Sequence, residues 1–344
     1  MGLKFKDIIE KKTVSMNNLN GKILAVDSMN ILYQFLTTIR GPEGNLFTNS
    51  KGQVTSHLIG LFNRTTTLME QGMKLVFVFD GKPPELKTVT KERRKKIKEE
   101  ASLLLKQAKE AGDVEGMKKY SSRTVVLTRE MVEDAKKMIS LLGLPVIQAP
   151  SEGEAQTAFM VKKGDVYASV SQDYDNLIFG CPLLIRNLSI TGKRKKAGKF
   201  AYETIKPESI YLKENLEKLK LSLDQLIVLA VLVGTDYNPG GIKGIGPKKG
   251  LKLLEKYGEN FEAIFEETKW KESYDIDWKE IFDTIKHIPV TEDYKLEWSS
   301  IDKDKLVEFL VEELEFSKER VESKINKMLE KKGKNTQKGL SSFF

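Results

Sequence analysis

The chain has 344 residues, 40% of them apolar, enough for one large domain or two ordinary ones with a sizeable core. Lysine and arginine (57) outnumber aspartate and glutamate (49), a balance that suits an anionic partner, nucleic acid or an acidic membrane surface, or simply a densely charged exterior. One cysteine, Cys181, and two distant histidines, His57 and His287, exclude an intramolecular disulfide, a multi-cysteine zinc or iron–sulfur site and a histidine-rich metal site.

The N-terminus has no continuous apolar segment of the secretory kind, and Lys6 stands where a myristoylation signal needs Ser or Thr. The longest apolar run, Leu226 to Val233, is too short to span a bilayer. The expectation is a soluble, intracellular, cytoplasmic protein. Lys22 to Val26 is a short β-type run ending at Asp27. Ser28 to Ile39 has helical spacing, and its pattern favours Tyr33 as a core residue over a stacking platform. Ser56 to Gln71 is a second helix. Lys74 to Phe79 is strand-like and ends at Asp80, and Gly81-Lys82-Pro83-Pro84 then stops any regular element. Lys91 to Glu110 is helical by propensity and opens with six basic residues in eight, a solvated face or an insertion lying over the core.

Helix returns at Arg129 to Leu142, followed by a short strand at Leu144 to Ile147. Ser151 to Val161 starts with a Ser151/Glu154 capping box, which would give Glu154 a purely local role. Glu152 has no such explanation. Val166 to Val170 is a strand leading to Asp173-x-Asp175, and Leu183 to Leu188 is another. The basic cluster Lys193 to Lys196 is expected in a loop. The alternation makes this an α/β chain with a mainly parallel twisted sheet flanked by helices. Ligands then bind beyond the carboxyl ends of the strands, where Asp27, Asp80 and Asp173 fall. Leu221 to Lys256 reads as helix, tight turn, helix, with Ser222 as N-cap. Residues 259–327 read as amphipathic helices, such as Asp304 to Leu314, and Lys331 to Phe344 as a flexible tail.

Seven acids stand out: Asp27, Asp80, Glu152, Glu154, Asp173, Asp175 and Asp236. Gathered carboxylates stay ionised only beside cations, and sites built from oxygen alone suit hard ions such as Mg²⁺ or Mn²⁺. Two such ions about 3.5–4 Å apart support phosphodiester cleavage. Gly241-Ile-Lys-Gly244-Ile-Gly246-Pro247-Lys248-Lys249-Gly250 is the second constellation. Its glycines admit a phosphate, and Pro247 suits the first turn of a helix. A grip on duplex backbone fits better than a dinucleotide loop, because the glycine spacing is G-x-G-x-x-x-G after a helix. Lys82, Lys87, Arg93, Arg94, Arg40 and Arg64 are surface charges singly and a phosphate track together. The end of the chain, Gln337, Leu340, Phe343 and Phe344, forms a compact apolar plug suited to a partner's pocket, or a frayed tail.

At this point the motifs VDSMNILYQF, VFDGKPPELK, APSEGEAQ, SQDYDNLIFG and GTDYNPGGIKGIGPKKG resemble the flap endonucleases of the structure-specific 5′-nuclease superfamily, from Gly2 to about residue 260. The tail resembles the box that binds the sliding clamp PCNA, and its short end points to the archaeal branch. The resemblance implies a PIN-like 5′-nuclease fold with a helical arch and a helix-hairpin-helix. It divides the chain into an N-terminal nuclease region (1–98), the remainder of an arch and cap (99–128), an internal nuclease region with the hairpin (129–258), C-terminal helices (259–330) and a tail with the clamp box (331–344).

It also implies two Mg²⁺ ions, with Mn²⁺ able to substitute: one at Asp27, Asp80, Glu152 and Glu154, the other at Asp173, Asp175 and Asp236. Lys87 and Arg94 match the basic pair that reaches the scissile phosphate. Tyr33 matches the aromatic that stacks on the terminal base, against the core reading above. Arg40, Arg64, Glu152, Gly234 and Asp236 match DNA contacts. Gly244, Gly246, Lys248 and Lys249 match the duplex grip, with a K⁺ site there. The activity implied is metal-dependent cleavage of DNA near a 5′-flap junction, with 5′–3′ exonuclease activity, in Okazaki fragment maturation and repair. The expected form is a monomer in the nucleoid, bound to flap DNA and to PCNA. A related 5′ exonuclease, a junction nuclease and a non-catalytic clamp-bound scaffold are the alternatives.

Overall fold

The structure is a computed structural model that describes residues 3–190, 192–195 and 202–340. The apolar runs become β1 (Lys12–Thr13), β2 (Ile23–Asp27), β3 (Lys74–Phe79), β4 (Val146–Gln148), β5 (Ala168–Val170) and β6 (Leu183–Arg186). β7 (Gly192–Lys195) and β8 (Tyr202–Ile205) form a separate antiparallel pair, and β9 (Glu208–Tyr211) returns to the main sheet. The sheet order is β1-β9-β6-β5-β2-β3-β4. The five strands from β6 to β4 are parallel; β9 and β1 add an antiparallel edge. The Lys193 to Lys195 cluster therefore lies on a strand rather than in a loop. Its pairing with the β-favouring run Tyr202 to Ile205 supplies what a charged sequence does not signal. Lys196 lies outside the described residues.

Both faces of the sheet are covered. Leu24 and Val26 of β2 and Leu75, Phe77 and Phe79 of β3 point to one face. Ala25, Val76 and Val78 point to the other, the period-two alternation of a strand. Burial on both sides is why these strands read as continuous apolar runs. On the first face lie α1 (Ser28–Thr38) and α2 (Ser56–Glu70). Next come α3 (Thr88–Glu110) and α4 (Val114–Ser121), packed on each other. α5 (Arg129–Leu141) returns to the first face.

On the second face lie α6 (Gly153–Lys163), α7 (Asp175–Ile178), α8 (Leu212–Leu219), α9 (Leu223–Val233) and α10 (Pro247–Tyr257). Ser222 caps α9 in a full capping box with Gln225, and Pro247 opens α10, both as the sequence indicates. The helices α11 (Phe261–Glu267), α12 (Trp270–Ser273) and α13 (Trp278–Lys286) prop this face through an aromatic cluster. Phe265 there stacks on Trp278 at 4.4 Å between centroids.

The helix expected over Asp304 to Leu314 is divided. α14 (Lys303–Val307) gives way to a π-type turn at Glu308–Glu313 that buries Phe309 and Leu310 side by side. α15 (Lys318–Leu340) runs through the first part of the segment read as a flexible tail. Val321, Ile325 and Met328 anchor it in the first-face core, and the helix continues from that anchor despite Gly333 and Gly339. Gln337 and Leu340 stand on this helix; Phe343 and Phe344 lie outside the described residues. Among the described residues, no helix is long and apolar enough to cross a membrane.

His57, in α2, is wholly buried, and burial pushes it from 6.5 down to about 4. The unfolded chain takes a proton near pH 6.5 and the folded chain does not, so stability is full above that pH and falls toward pH 4. The linked loss is on the order of 3 kcal/mol. His57→Leu should lose less stability than the parent when urea unfolding is compared at pH 7 and pH 4.5. Equal losses would show that His57 is not the titrating group.

Candidate active site

Each acid is placed by the element it ends. Asp27 closes β2 and caps α1; its carboxylate accepts from the Asn30 N–H at 3.1 Å and from Ser171 Oγ at 3.1 Å. Asp80 follows β3 and accepts from the Gly153 N–H at 2.8 Å. That bond satisfies a free donor at the start of α6, and the expected capping box is absent because the helix begins one residue later than the box requires. The N-cap is Glu152, with no side-chain cap bond. Ser151 Oγ is buried with no hydrogen-bond partner among the described residues. Glu154 is instead turned inward, where its Oε1 accepts from Ser171 Oγ at 3.2 Å.

Beyond β5, buried Tyr174 anchors the acid-x-acid segment. Asp173 accepts from Asn30 Nδ2 at 2.8 Å, and Asp175, the first residue of α7, accepts from the Leu3 N–H at 2.8 Å. Asp236 follows the C-cap of α9. Gly234 there has φ +109°, and a Cβ on it would lie 2.5 Å from Gly241 N. Only glycine allows the chain to fold back so closely.

All seven acids line one cavity of about 350 Å³ beyond the carboxyl ends of the strands. Burial, reinforced by neighbouring Asp80, pushes Asp27 up to about 8. Burial, with Asp173 and Asp236, pushes Asp175 up to about 7. Glu154 is raised well above the usual range by burial and then by Asp175 and Asp27. Asp80 is raised chiefly by the protein enclosing it.

Two internal cations answer part of this charge. Lys87 Nζ lies 2.7 Å from Glu152 and 3.5 Å from Asp236. Burial alone would lower the Lys87 pKa, but Glu152 and Asp236 more than offset it and hold the ammonium protonated. Arg94 Nη2 donates to both oxygens of Asp236 at 2.8 Å, and Thr90 Oγ1 donates to the Asp236 carbonyl. Helix α3 is thereby drawn across the site. Glu152 also accepts from Tyr237 OH at 2.8 Å.

Among the described residues, no three carboxylates converge tightly enough to hold one ion as they stand. Lys87 and Arg94 occupy oxygens of Glu152 and Asp236 that would ligate it. The donor set, seven hard oxygens repelling one another, nevertheless fits a divalent cation.

The cavity opens into a second of about 700 Å³ beneath α3, lined by Tyr33, Lys87, Arg94, Lys95, Lys98 and Val126 among others. Tyr33 is 39% exposed at this mouth, so the core reading of it fails. It sits on the α1 face that looks toward the acids, a distinction one turn of helix decides. Arg40 is not brought to the pocket: it donates to the carbonyls of Leu36 in the last turn of α1 and of Gly44 in the loop that follows. Arg64 is half-buried in α2 and lines neither cavity. Gly244 and Gly246 leave open space before α10, and Lys248 and Lys249 are exposed on its first turn. Asn30, Ser171 and Tyr237 belong to the site and are missed by sequence reasoning. Each lies inside a motif that carries an acid: Asn30 three residues after Asp27, Ser171 two before Asp173 and Tyr237 next to Asp236.

Residues 1–101 match the XPG N-terminal domain and residues 143–236 the XPG I-region. Flap endonuclease 1 of Pyrococcus abyssi is 48% identical over 344 residues, spanning 100% of this chain and 98% of the relative. That of Staphylothermus marinus is 48% identical over 351 residues, spanning 100% of both. Among solved structures, flap endonuclease-1 from Methanococcus jannaschii matches with a TM-score of 0.75 and 40% identity, covering 97% of this chain and 100% of that one. The catalytic core of Rad2 in complex with DNA substrate shares the fold at a TM-score of 0.70 and 24% identity, covering 95% and 100%. An acid cavity at the carboxyl ends of a parallel sheet, a basic helix drawn over it and near-half identity along the whole length place this chain in the flap endonuclease family.

Proposed function

We propose that this protein is a 5′-flap endonuclease, with 5′–3′ exonuclease activity, that hydrolyses a DNA phosphodiester near the flap–duplex junction in Okazaki fragment maturation and repair. The observation that carries the reading is the cavity in which seven acids, Lys87, Arg94 and Tyr33 meet beneath α3. Asp27, Asp80, Glu152 and Glu154 would hold one Mg²⁺, or Mn²⁺ in its place, and Asp173, Asp175 and Asp236 a second. Such ions supply Lewis acidity and a water acidic enough to act near neutral pH.

The chain's own groups do the rest. Once Glu152 and Asp236 turn to an ion, Lys87 and Arg94 are released to a phosphate, where a fixed cation stabilises developing charge. Tyr33 offers its exposed ring to the terminal base. The space under α3, part of an arch and cap that continues over residues 99–128, admits a single strand. Gly244, Gly246, Lys248 and Lys249 hold the duplex backbone beside it, at a turn that would also take a K⁺. Arg40 and Arg64 add contacts to the DNA, as do Glu152, Gly234 and Asp236 beside the metal site. Fraying at a junction lowers the cost of bringing the scissile phosphate to the acids.

A 5′-flap duplex incubated with Mg²⁺ should release the flap, and with EDTA should not. Tight binding without cleavage in Mg²⁺ would overturn the enzyme reading in favour of a scaffold.

The enzyme acts as a monomer at the nucleoid and is delivered by PCNA through Gln337, Leu340, Phe343 and Phe344. Replacing Phe343 and Phe344 together by alanine should abolish stimulation by the clamp in a flap-cleavage assay and leave the unstimulated rate unchanged. A fall in the unstimulated rate would show that the two phenylalanines belong to the folded enzyme.

A further inference from the structure

Asn30 and Arg186 grip the acid-bearing segment after β5 from opposite sides, and neither is an acid or lies in a basic run. From α1, Asn30 Nδ2 donates to Asp173 Oδ2 at 2.8 Å while its Oδ1 accepts from the Gln172 N–H at 3.2 Å. The two partners fix the amide's orientation, because a flipped amide would face a carboxylate with its oxygen and an N–H with its nitrogen. The Asn30 N–H holds Asp27 as well. One residue therefore fixes the spacing between the acid that closes β2 and the acid that follows β5.

From the end of β6, Arg186 donates through Nε and Nη2 to the Gln172 carbonyl at 2.9 and 2.8 Å. Its Nη1 donates to Tyr174 OH at 2.7 Å, and the guanidinium lies 4.1 Å from the centre of the Tyr174 ring. Glu208 is 3.7 Å from Nη1. Arg186 thus seizes the residues on both sides of Asp173 and touches none of the seven acids.

We propose that Asn30 and Arg186 are positioning residues for metal binding, a clamp that holds the backbone of Gln172 to Asp175 so that Asp173 and Asp175 meet an ion correctly. The proposal rests on reading those two aspartates as ligands. The clamp acts against repulsion: Asp173, Asp175 and Glu154 would otherwise spread apart. Outer partners that orient ligands are typically worth 10- to 100-fold in metal affinity or activity. Arginine suits the task because its planar fork reaches two acceptors while stacking on a ring, which lysine cannot reproduce.

The test uses the full chain with Asn30→Leu, Arg186→Lys and, as a reference, Asp173→Ala. Ca²⁺ binding is measured by calorimetry without DNA, flap-DNA affinity in Ca²⁺, single-turnover cleavage across a Mg²⁺ titration, and Tm in EDTA. Asn30→Leu and Arg186→Lys should each weaken Ca²⁺ binding about tenfold and raise the Mg²⁺ needed for half-maximal cleavage by a similar factor. High Mg²⁺ should restore the rate, with DNA affinity within about twofold of the parent. In the Asp173→Ala background, adding Asn30→Leu should weaken metal binding little further.

If Asp173→Ala loses metal affinity but both clamp variants bind Ca²⁺ like the parent, the clamp is wrong and the ligand reading stands. If Asp173→Ala itself binds Ca²⁺ normally, the ligand reading fails first. A lowered Tm with unchanged Ca²⁺ affinity assigns both residues a structural role only and overturns the proposal.

Discussion

Asp175→Asn should abolish flap cleavage, by on the order of 10³-fold or more, about 4 kcal/mol of barrier, while flap-DNA binding stays near the parent's. The substitution is nearly isosteric, and its amide oxygen can still accept the Leu3 N–H that holds Asp175 now. What it removes is one of the charges burial has already made costly, in a cavity where Asp173 and Asp236 add to the repulsion. Tm in EDTA should therefore be no lower than the parent's, which separates a lost ligand from a damaged fold. Single-turnover cleavage, equilibrium binding and thermal melting are the three readouts. Near-parental turnover would remove Asp175 from the ligand set.

Lys87→Met should be the second large loss, on the order of 10³-fold in single-turnover rate, with a much smaller change in flap-DNA affinity. Lys87 is the one cation here that spans Glu152 and Asp236. Removing it leaves the nearly buried Glu152 carboxylate, among the described residues, with the Tyr237 hydroxyl alone, and an unpaired buried charge is destabilising. Tm should fall in EDTA and recover when a divalent ion is added, because the ion replaces the missing positive charge. Arg94→Lys is the useful contrast. It keeps the charge but loses the donor pattern on both Asp236 oxygens, so its loss should be smaller. A Lys87→Met enzyme that cleaves at the parental rate would exclude this ammonium from the chemistry.

The strand–aspartate junctions are legible because a parallel sheet buried on both faces writes its strands as unbroken apolar runs. An acid that interrupts such a run marks a carboxyl end. The hairpin is legible for a similar reason, since Ser222, Gln225 and Pro247 act within a few residues of the ends they set. The capping reading of Glu154 fails because a capping box is a local pattern, whereas the partner that turns Glu154 inward is Ser171, 17 positions later.

The partners of Asn30 and Ser171 are illegible for the same reason carried further. Either residue is an ordinary polar one until the sheet brings it beside an acid more than 140 positions away. The edge strands β1 and β9 and the β7–β8 pair are short and polar, and only their partners make them strands. Tyr33 turns on which side of a helix meets solvent, and apolar spacing alone leaves an aromatic at that boundary undecided.

The distance along the chain between Arg94 and Asp236, 142 positions, has a consequence for when the enzyme becomes dangerous. During synthesis, six of the acids leave the ribosome well before Asp236, so the set stays incomplete until the α9 turn has emerged and folded. Contacts between such distant segments form slowly, because the intervening chain must first be ordered. Destructive chemistry must therefore wait until Asp236 has joined the other six acids. On refolding from urea, helical far-UV signal should return before flap cleavage does. A newborn chain would drift past nucleic acid as a harmless basic polypeptide, armed only when it is whole.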